Sequence, residues 1–202
     1  MTGTADYKGA NATGPVMILA GSLRAESVSR RFAESAHALF TEAGTESWLV
    51  SIEDLALPPY NPDLHTASSP GPAAEFCRMT RKARAFLWCS PAYHRTLSGS
   101  FKNALDYLEI LAKDDPPYLS GKAVGLIAVS SGPKSAMTTI LSLEMVAQGL
   151  YAFVLPYIIP IAQSARLYDE TGNLTDDRAR KGLASLVRET RSFLRNYRYP
   201  PL

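Results

Sequence analysis

The stretch Pro15-Val16-Met17-Ile18-Leu19-Ala20-Gly21-Ser22-Leu23-Arg24-Ala25-Glu26-Ser27-Val28-Ser29-Arg30 decides the fold. Val16–Ala20 is a continuous apolar run too short for a buried helix, which predicts a strand covered on both faces. It stops at Gly21-Ser22, and from about Ser27 to Ala43 the apolar positions Val28, Phe32, Ala36, Leu39 and Phe40 return every three or four residues. That spacing places them on one side of a helix, which Gly44 ends. A buried strand feeding an amphipathic helix through a short polar loop is the opening unit of an α/β domain with a parallel sheet.

The same alternation continues outward. Ser47–Ile52 reads as a second strand, followed by the Pro-rich loop Leu57–Pro62 and a helix over Ala73–Ala83. Ala85–Cys89 is a third apolar strand, closed by Ser90-Pro91, and Ser100–Leu111 returns to helical spacing. Ala123–Val129 makes a fourth strand. Thr138–Leu150 is apolar around most of its circumference, so it needs cover beyond its sheet face, and a partner subunit is expected to supply it. Ala152–Leu155 and Tyr157–Ile161 supply an edge strand bent by Pro156 and Pro160. Thr175-Asp176-Asp177 caps a last helix, whose arginines (Arg178, Arg180, Arg188, Arg191 and Arg195) are expected to solvate its outer face. Five strands alternating with five helices imply a three-layer α/β/α sandwich around a five-stranded parallel sheet.

The 202 residues suit one domain, placed at residues 15–202, with residues 1–14 as a flexible extension lacking the apolar surface that would offset its ordering. Hydrophobic residues at 46%, charged residues at 20% and a mean hydropathy of -0.07 describe a soluble globular chain. Lys+Arg 21 against Asp+Glu 19 leaves +2, too little for a general nucleic-acid or membrane-surface field. No signal peptide or membrane span is legible, so a cytoplasmic location is expected. Cys77 and Cys89 form no CxxC and read as buried free thiols, and His37 and His65 share no ligand spacing, so no metal is expected.

In an open parallel sheet, ligands bind beyond the carboxyl ends of the strands where the strand order reverses. The first such loop offers Ser22, Ser27 and Ser29, the guanidinium of Arg24, and the free amides of a helix start at Val28. A doubly charged phosphate suits that set, because the helix end carries about half a positive charge and a guanidinium can grip two phosphate oxygens. The serines equally suit a helix cap. No GxGxxG follows the first strand, and Gly132-Pro133-Lys134-Ser135 lacks the glycine before lysine of a Walker loop, so a terminal monophosphate fits better than a dinucleotide pyrophosphate.

The second loop is Ser90-Pro91-Ala92-Tyr93-His94-Arg95-Thr96-Leu97-Ser98-Gly99, continued by Ser100-Phe101-Lys102-Asn103-Ala104-Leu105-Asp106-Tyr107. With the first loop it resembles the NADPH-dependent FMN reductases of the flavodoxin-like superfamily, which carry GSxRxxSxN after the first strand and PxYNxxxPGxLKNALDW after the third. The resemblance runs from Val16 to about Leu194. It implies the flavodoxin-like strand order 2-1-3-4-5, FMN as cofactor and NADPH as hydride donor. Ser22, Arg24, Ser27, Val28 and Ser29 then fall at the phosphate. Pro91, Ala92, Tyr93 and His94 flank the ring, and Ser131, Gly132 and Pro133 face its pyrimidine edge. Asn103 and Asp106 are expected to hold the loop by hydrogen bonds.

Three departures mark this chain: His94 stands where asparagine is usual, Ser98 replaces proline, and Ser135-Ala136 follow in the fourth-strand loop where relatives carry glycines and an arginine. The resemblance implies an oxidoreductase passing hydride from NADPH through FMN to a small acceptor: free flavin, a quinone, an azo or nitro compound, or a pathway intermediate. His94 is the one candidate catalytic residue, as a proton donor to the reduced acceptor or a hydrogen-bond partner of the flavin edge. Arg24 and Arg95 are the candidates for the 2′-phosphate of NADPH. A homodimer or homotetramer is expected. Two other classes stay open: a non-enzymatic flavodoxin-type electron carrier, against which the +2 balance argues, and a flavodoxin-like binding module without cofactor.

Overall fold

The computed structural model describes residues 14–24, 26–66, 70–162 and 167–198. The expected N-terminal extension therefore lies, except for Gly14, outside the described residues. Strand β1 (Val16–Ala20) pairs in parallel with β2 (Ser47–Ser51) on one side and with β3 (Ala85–Tyr93) on the other. Beyond β3 lies β5 (Ala123–Val129), also parallel. The edge position holds two short pieces, β6 (Phe153–Val154) and β7 (Ile159–Ile161), both paired with β5. The five positions thus run in the flavodoxin-like order, with the last one interrupted around Pro156. A further two-residue strand, β4 (Thr96–Leu97), folds back antiparallel on the end of β3.

Side-chain alternation along the strands builds the three layers. Met17 and Leu19 of β1, with Phe86 and Trp88 of β3, face one core together with Phe76 of α3 (Pro72–Lys82), Phe101 and Leu105 of α4 (Gly99–Asp106) and Ile140 and Leu143 of α5 (Pro133–Gly149). Val16, Ile18 and Ala20 face the opposite core with Phe32, Ala36 and Phe40 of α1 (Val28–Glu42) and Leu183, Leu186 and Val187 of α6 (Asp177–Asn196). Removing each such large side chain from water stabilises the fold by about 1.5–3 kcal/mol.

Several boundaries differ from the sequence reading. The helix expected from Ser100 to Leu111 ends at Asp106 and tightens into a 3-10 turn, Tyr107–Leu111. A one-turn helix, α2 (Ile52–Leu55), closes β2, because Ser51 caps the amide of Glu53. Strand β3 continues through Pro91, Ala92 and Tyr93, expected as loop, because β5 and β4 supply partners there. Helix α5 begins five residues early, with Gly132 as its cap and Pro133 opening it, so Ser135 and Ala136 lie in its first turns and are not loop residues. Arg191 does not solvate an outer face: its guanidinium donates to Ala43 O and Thr45 Oγ1, which ties α6 to the carboxyl end of α1.

Lys122 fixes the other end of the sheet. From its place just before β5, its ammonium donates to the carbonyls of Thr80, Arg81 and Ala83 at 2.7, 2.8 and 2.9 Å, closing the carboxyl end of α3. Burial draws its pKa down to about 8. Replacing Lys122 by methionine is expected to lower unfolding free energy by about 1–3 kcal/mol, because buried carbonyls lose their donor. With a folded-state pKa below that of the unfolded chain, the unfolded state holds more proton above pH 8. Wild-type stability therefore climbs relative to Lys122→Met between about pH 8 and the usual lysine range. Urea unfolding at a series of pH values checks both points.

Candidate functional site

The chain goes from β1 to β2 on one side and returns to β3 on the other, so the strand order reverses between β1 and β3. Strand β1 ends level with Cys89 of β3: Ala20 pairs with Cys89, and Gly21 N–H donates to Cys89 O at 2.8 Å, while β3 runs on to Tyr93. Glycine is required at position 21, since a Cβ there would stand 2.6 Å from the Phe101 ring and 2.9 Å from Cys89 O. The loop Gly21–Ser27 and the loop following Cys89 leave the sheet side by side at the switch point.

In the first loop Ser22 is buried, and its Oγ accepts the N–H of Arg24 at 3.1 Å. Ser27 caps α1 by accepting Arg30 N–H at 3.1 Å, and its Oγ lies 3.3 Å from that of Ser29, also buried. The cap reading and the anion reading coexist, because capping engages the third amide of the helix and leaves those of Val28 and Ser29 without an intrahelical acceptor. Arg24 is exposed and enters no ion pair among the described residues. Arg30 is committed to Glu34 and Glu53.

In the second loop Pro91 and Ala92 are half-buried on β3, and Tyr93 stands 48% exposed at its end. His94 and Arg95 form the two-residue turn between paired Tyr93 and Thr96, with φ of 51° and 68°. Positive φ at both positions is the mirror-image hairpin turn that suits right-twisted strands, and asparagine and glycine enter it with least strain. The resembled motif's asparagine at position 94 has this physical reason. His94 is exposed at the tip.

The third loop is short. Ser130 N–H donates to Ile161 O at 2.9 Å, and its Oγ donates to Gly132 O at 2.6 Å, which turns the backbone outward at Ser131. A Cβ on Gly132 would meet nothing within 4 Å, so open space lies against this backbone. Pro133 opens α5, and Lys134 is exposed.

Asn103 does hold a loop, though a different one. Its Oδ1 accepts Tyr60 N–H at 2.8 Å and its Nδ2 donates to Pro58 O at 2.9 Å, fixing the Pro-rich segment beside α4. Asp106 pairs with Lys102. His65 belongs to that segment too: its Nδ1 accepts Asn61 N–H at 2.9 Å and its ring stacks on Tyr60. His37 bonds Ser47. A small cavity of about 90 Å³ lies between Leu23, Ile52, Ala56, Leu57, Ser100 and Asn103. Burial pushes the Cys89 thiol far up and the Cys77 thiol to about 11, so neither supplies a thiolate at neutral pH. Among the described residues no cluster of His, Cys, Asp and Glu could hold a metal ion, and no helix is long and apolar enough to cross a membrane.

Sequence reasoning passed over Gly21, Ser90 and Ser130 as parts of the site, and it treated Ser98 only as a departure from the motif. Their signal was faint: small residues at strand ends, whose partners lie in distant loops.

A strand-order switch point, hydroxyls at a helix start and open backbone at the third loop define a flavodoxin-like mononucleotide-binding protein. The residues present fit FMN: a phosphate would meet free amides and a guanidinium in no ion pair among the described residues, and a flat ring would meet an exposed tyrosine and open glycine backbone. Residues 15–166 match the family model of NADPH-dependent FMN reductases, and the chain belongs to that family. It is an oxidoreductase with FMN as cofactor and NADPH as hydride donor. The NADPH-dependent FMN reductase ArsH of Shigella flexneri is 27% identical over 180 residues, covering 87% of this chain and 68% of the relative. A quinone reductase of Pseudomonas putida is 29% identical over 170 residues, covering 80% and 84%. The flavoenzyme NAD(P)H:(acceptor) oxidoreductase FerB from Paracoccus denitrificans superposes with a TM-score of 0.75 at 22% identity, over 92% of this chain and 99% of that one, a likeness of fold.

The two left-handed residues in the hairpin yield a prediction. Changing His94 to Asn and Arg95 to Gly together is expected to raise stability by roughly 0.5–1 kcal/mol, since both new residues enter positive φ readily. Thermal unfolding of the double variant against wild type checks it.

Proposed function

We propose that this enzyme reduces small electron-poor acceptors, quinones foremost, with FMN held across the three loops at the switch point. FMN, when bound, supplies the hydride chemistry between NADPH and the acceptor, which is why no protein nucleophile is needed. The chain's residues bind and orient. Arg24, the hydroxyls of Ser22, Ser27 and Ser29 and the amides of Val28 and Ser29 hold the phosphate. Pro91, Ala92 and Tyr93 form one wall of the ring site, and the backbone from Ser131 to Pro133 forms the other. Those amides favour negative charge arriving at the ring's polar edge. His94, exposed at the hairpin tip, is assigned the proton delivered to an acceptor at the mouth, and Arg24 and Arg95 are the candidates for the 2′-phosphate of NADPH.

One observation carries the reading: buried hydroxyls gathered at the start of α1, where the strand order reverses. Relatives of this chain include quinone reductases and an NADPH azoreductase, which supports the acceptor class. Met137, Leu141 and Met145 form a stripe at intervals of four on α5, 41, 49 and 74% exposed, which supports a homodimer or homotetramer with α5 in the interface. Two free buried cysteines support a reducing, cytoplasmic setting.

Purified protein is expected to show a flavin spectrum that bleaches on adding NADPH and recovers with a quinone. Arg24→Ala with Ser27→Ala is expected to weaken FMN binding about ten- to a hundredfold, from loss of a charge-assisted contact and a donor. Unchanged affinity in that variant, measured by flavin fluorescence titration, overturns the phosphate assignment.

A further inference from the structure

Ser98 occupies the motif position where the resembled family carries proline, a residue with neither an N–H nor a hydroxyl. Here both groups are used. Ser98 is 2% exposed, and its N–H donates to Ser90 Oγ at 3.3 Å. Its Oγ lies 2.7 Å from Gly21 O, 3.2 Å from Phe101 N and 3.2 Å from Ser100 Oγ. A hydroxyl has one proton and two lone pairs. Gly21 O and Phe101 N–H leave no choice: the Ser98 proton goes to the Gly21 carbonyl, and one lone pair accepts Phe101 N–H. Ser100 then donates to the other.

These bonds add to the single tie the sheet supplies, Gly21 N–H to Cys89 O, and extend it to three parts of the molecule. Gly21 is the last residue before the loop assigned to the phosphate. Ser90 lies where β3 enters the hairpin that carries Tyr93, and its own Oγ donates to Pro91 O at 2.9 Å. Phe101 begins α4. Among its described residues the loop Gly21–Ser27 holds no strand or helix, so its position relative to the hairpin draws on such ties.

We propose that Ser98 is a positioning residue that couples the phosphate loop to the ring-flanking hairpin, so that the two ends of FMN are bound as one preorganised site. The proposal rests on the FMN placement given under Proposed function. Coupling of this kind has a signature that simple stabilisation lacks. A ligand that spans both loops gains from their fixed spacing, whereas a ligand touching one loop does not.

The test compares FMN with riboflavin, which keeps the ring and lacks the phosphate, and with inorganic phosphate, on the full chain freed of flavin. In Ser98→Ala and Ser98→Gly the FMN dissociation constant is expected to rise about tenfold, a loss of about 1.4 kcal/mol. Riboflavin and phosphate are expected to change less than about twofold, since each uses one loop. Ser98→Thr, which keeps the hydroxyl, is expected to restore FMN binding. Ser98→Gly separates coupling from helix capping, because glycine replaces a capping serine at little cost. Should the Ser98 variants fail to fold, Ser90→Ala removes the acceptor of the Ser98 N–H, together with the local donor to Pro91 O, and leaves the Ser98 hydroxyl in place; it is expected to weaken FMN selectively by about threefold, within the range of one hydrogen bond. Equal weakening of FMN and riboflavin, or no change in either, overturns the coupling. Wild-type protein that binds riboflavin and phosphate but gains nothing from their union in FMN overturns the placement of the cofactor itself.

Discussion

The site depends on one close approach: the backbone of Gly21 against Cys89 O and the Phe101 ring. Strand β1 can run level with β3 to its last residue only if the chain leaving β1 presses into the start of α4. Any side chain at position 21 would push the loop off the sheet and away from the hairpin. This contact is packing and hydrogen bonding inside the domain, yet it sets where a ligand can sit. The phosphate loop inherits its origin from Gly21, the hairpin inherits its origin from the end of β3, and both are fixed to α4 through residues 98–101.

Rigid support and free edge are divided cleanly here. Beneath the site lie Trp88, Cys89 and Phe101, all fully buried, and the raised thiol pKa of Cys89 keeps that layer chemically silent. Above it, Leu23, Arg24, Tyr93, His94 and Lys134 are exposed on short loops. Leu23 aside, the exposed set is polar and aromatic, with no carboxylate pair, metal cluster or activated nucleophile among the described residues. Such a surface binds and steers while a cofactor carries the electrons. It accords with the family to which the chain belongs.

Much of this was legible in the sequence, for specific reasons. The strands Val16–Ala20 and Ala123–Val129 stood out because burial on both faces demands unbroken apolar runs, and α1 and α6 did because a single buried face imposes helical spacing. What escaped shares a different cause. The extension of β3 through Pro91 and Tyr93 requires a partner, Thr96-Leu97, whose two residues carry no pattern of their own. The early start of α5 was hidden because Gly132-Pro133 reads equally as a turn, and only the observed backbone distinguishes a cap from a loop. Arg191 looked like one solvated arginine among five, and its partners Ala43 and Thr45 lie almost the whole chain away.

The candidate site shows the same division. Motif residues proposed to meet ligand were readable, because phosphate chemistry restricts the residue types at a helix start. Residues that fix the spacing between loops were not, since a serine at a strand end has no signature until its acceptor is known. Ser98 illustrates why this matters for function. Where the motif uses proline, the loop is stiffened through its own dihedral angle. Where serine stands instead, stiffness must come from hydrogen bonds, and three are made: one across the hairpin to Ser90, one to the helix start at Phe101, and one to Gly21 O in the other loop. Substituting one for the other moves the constraint from within the hairpin to the junction between the two loops. On the proposed placement of the cofactor, a change in either loop would then be felt by the other through the bond from Ser98 to Gly21 O.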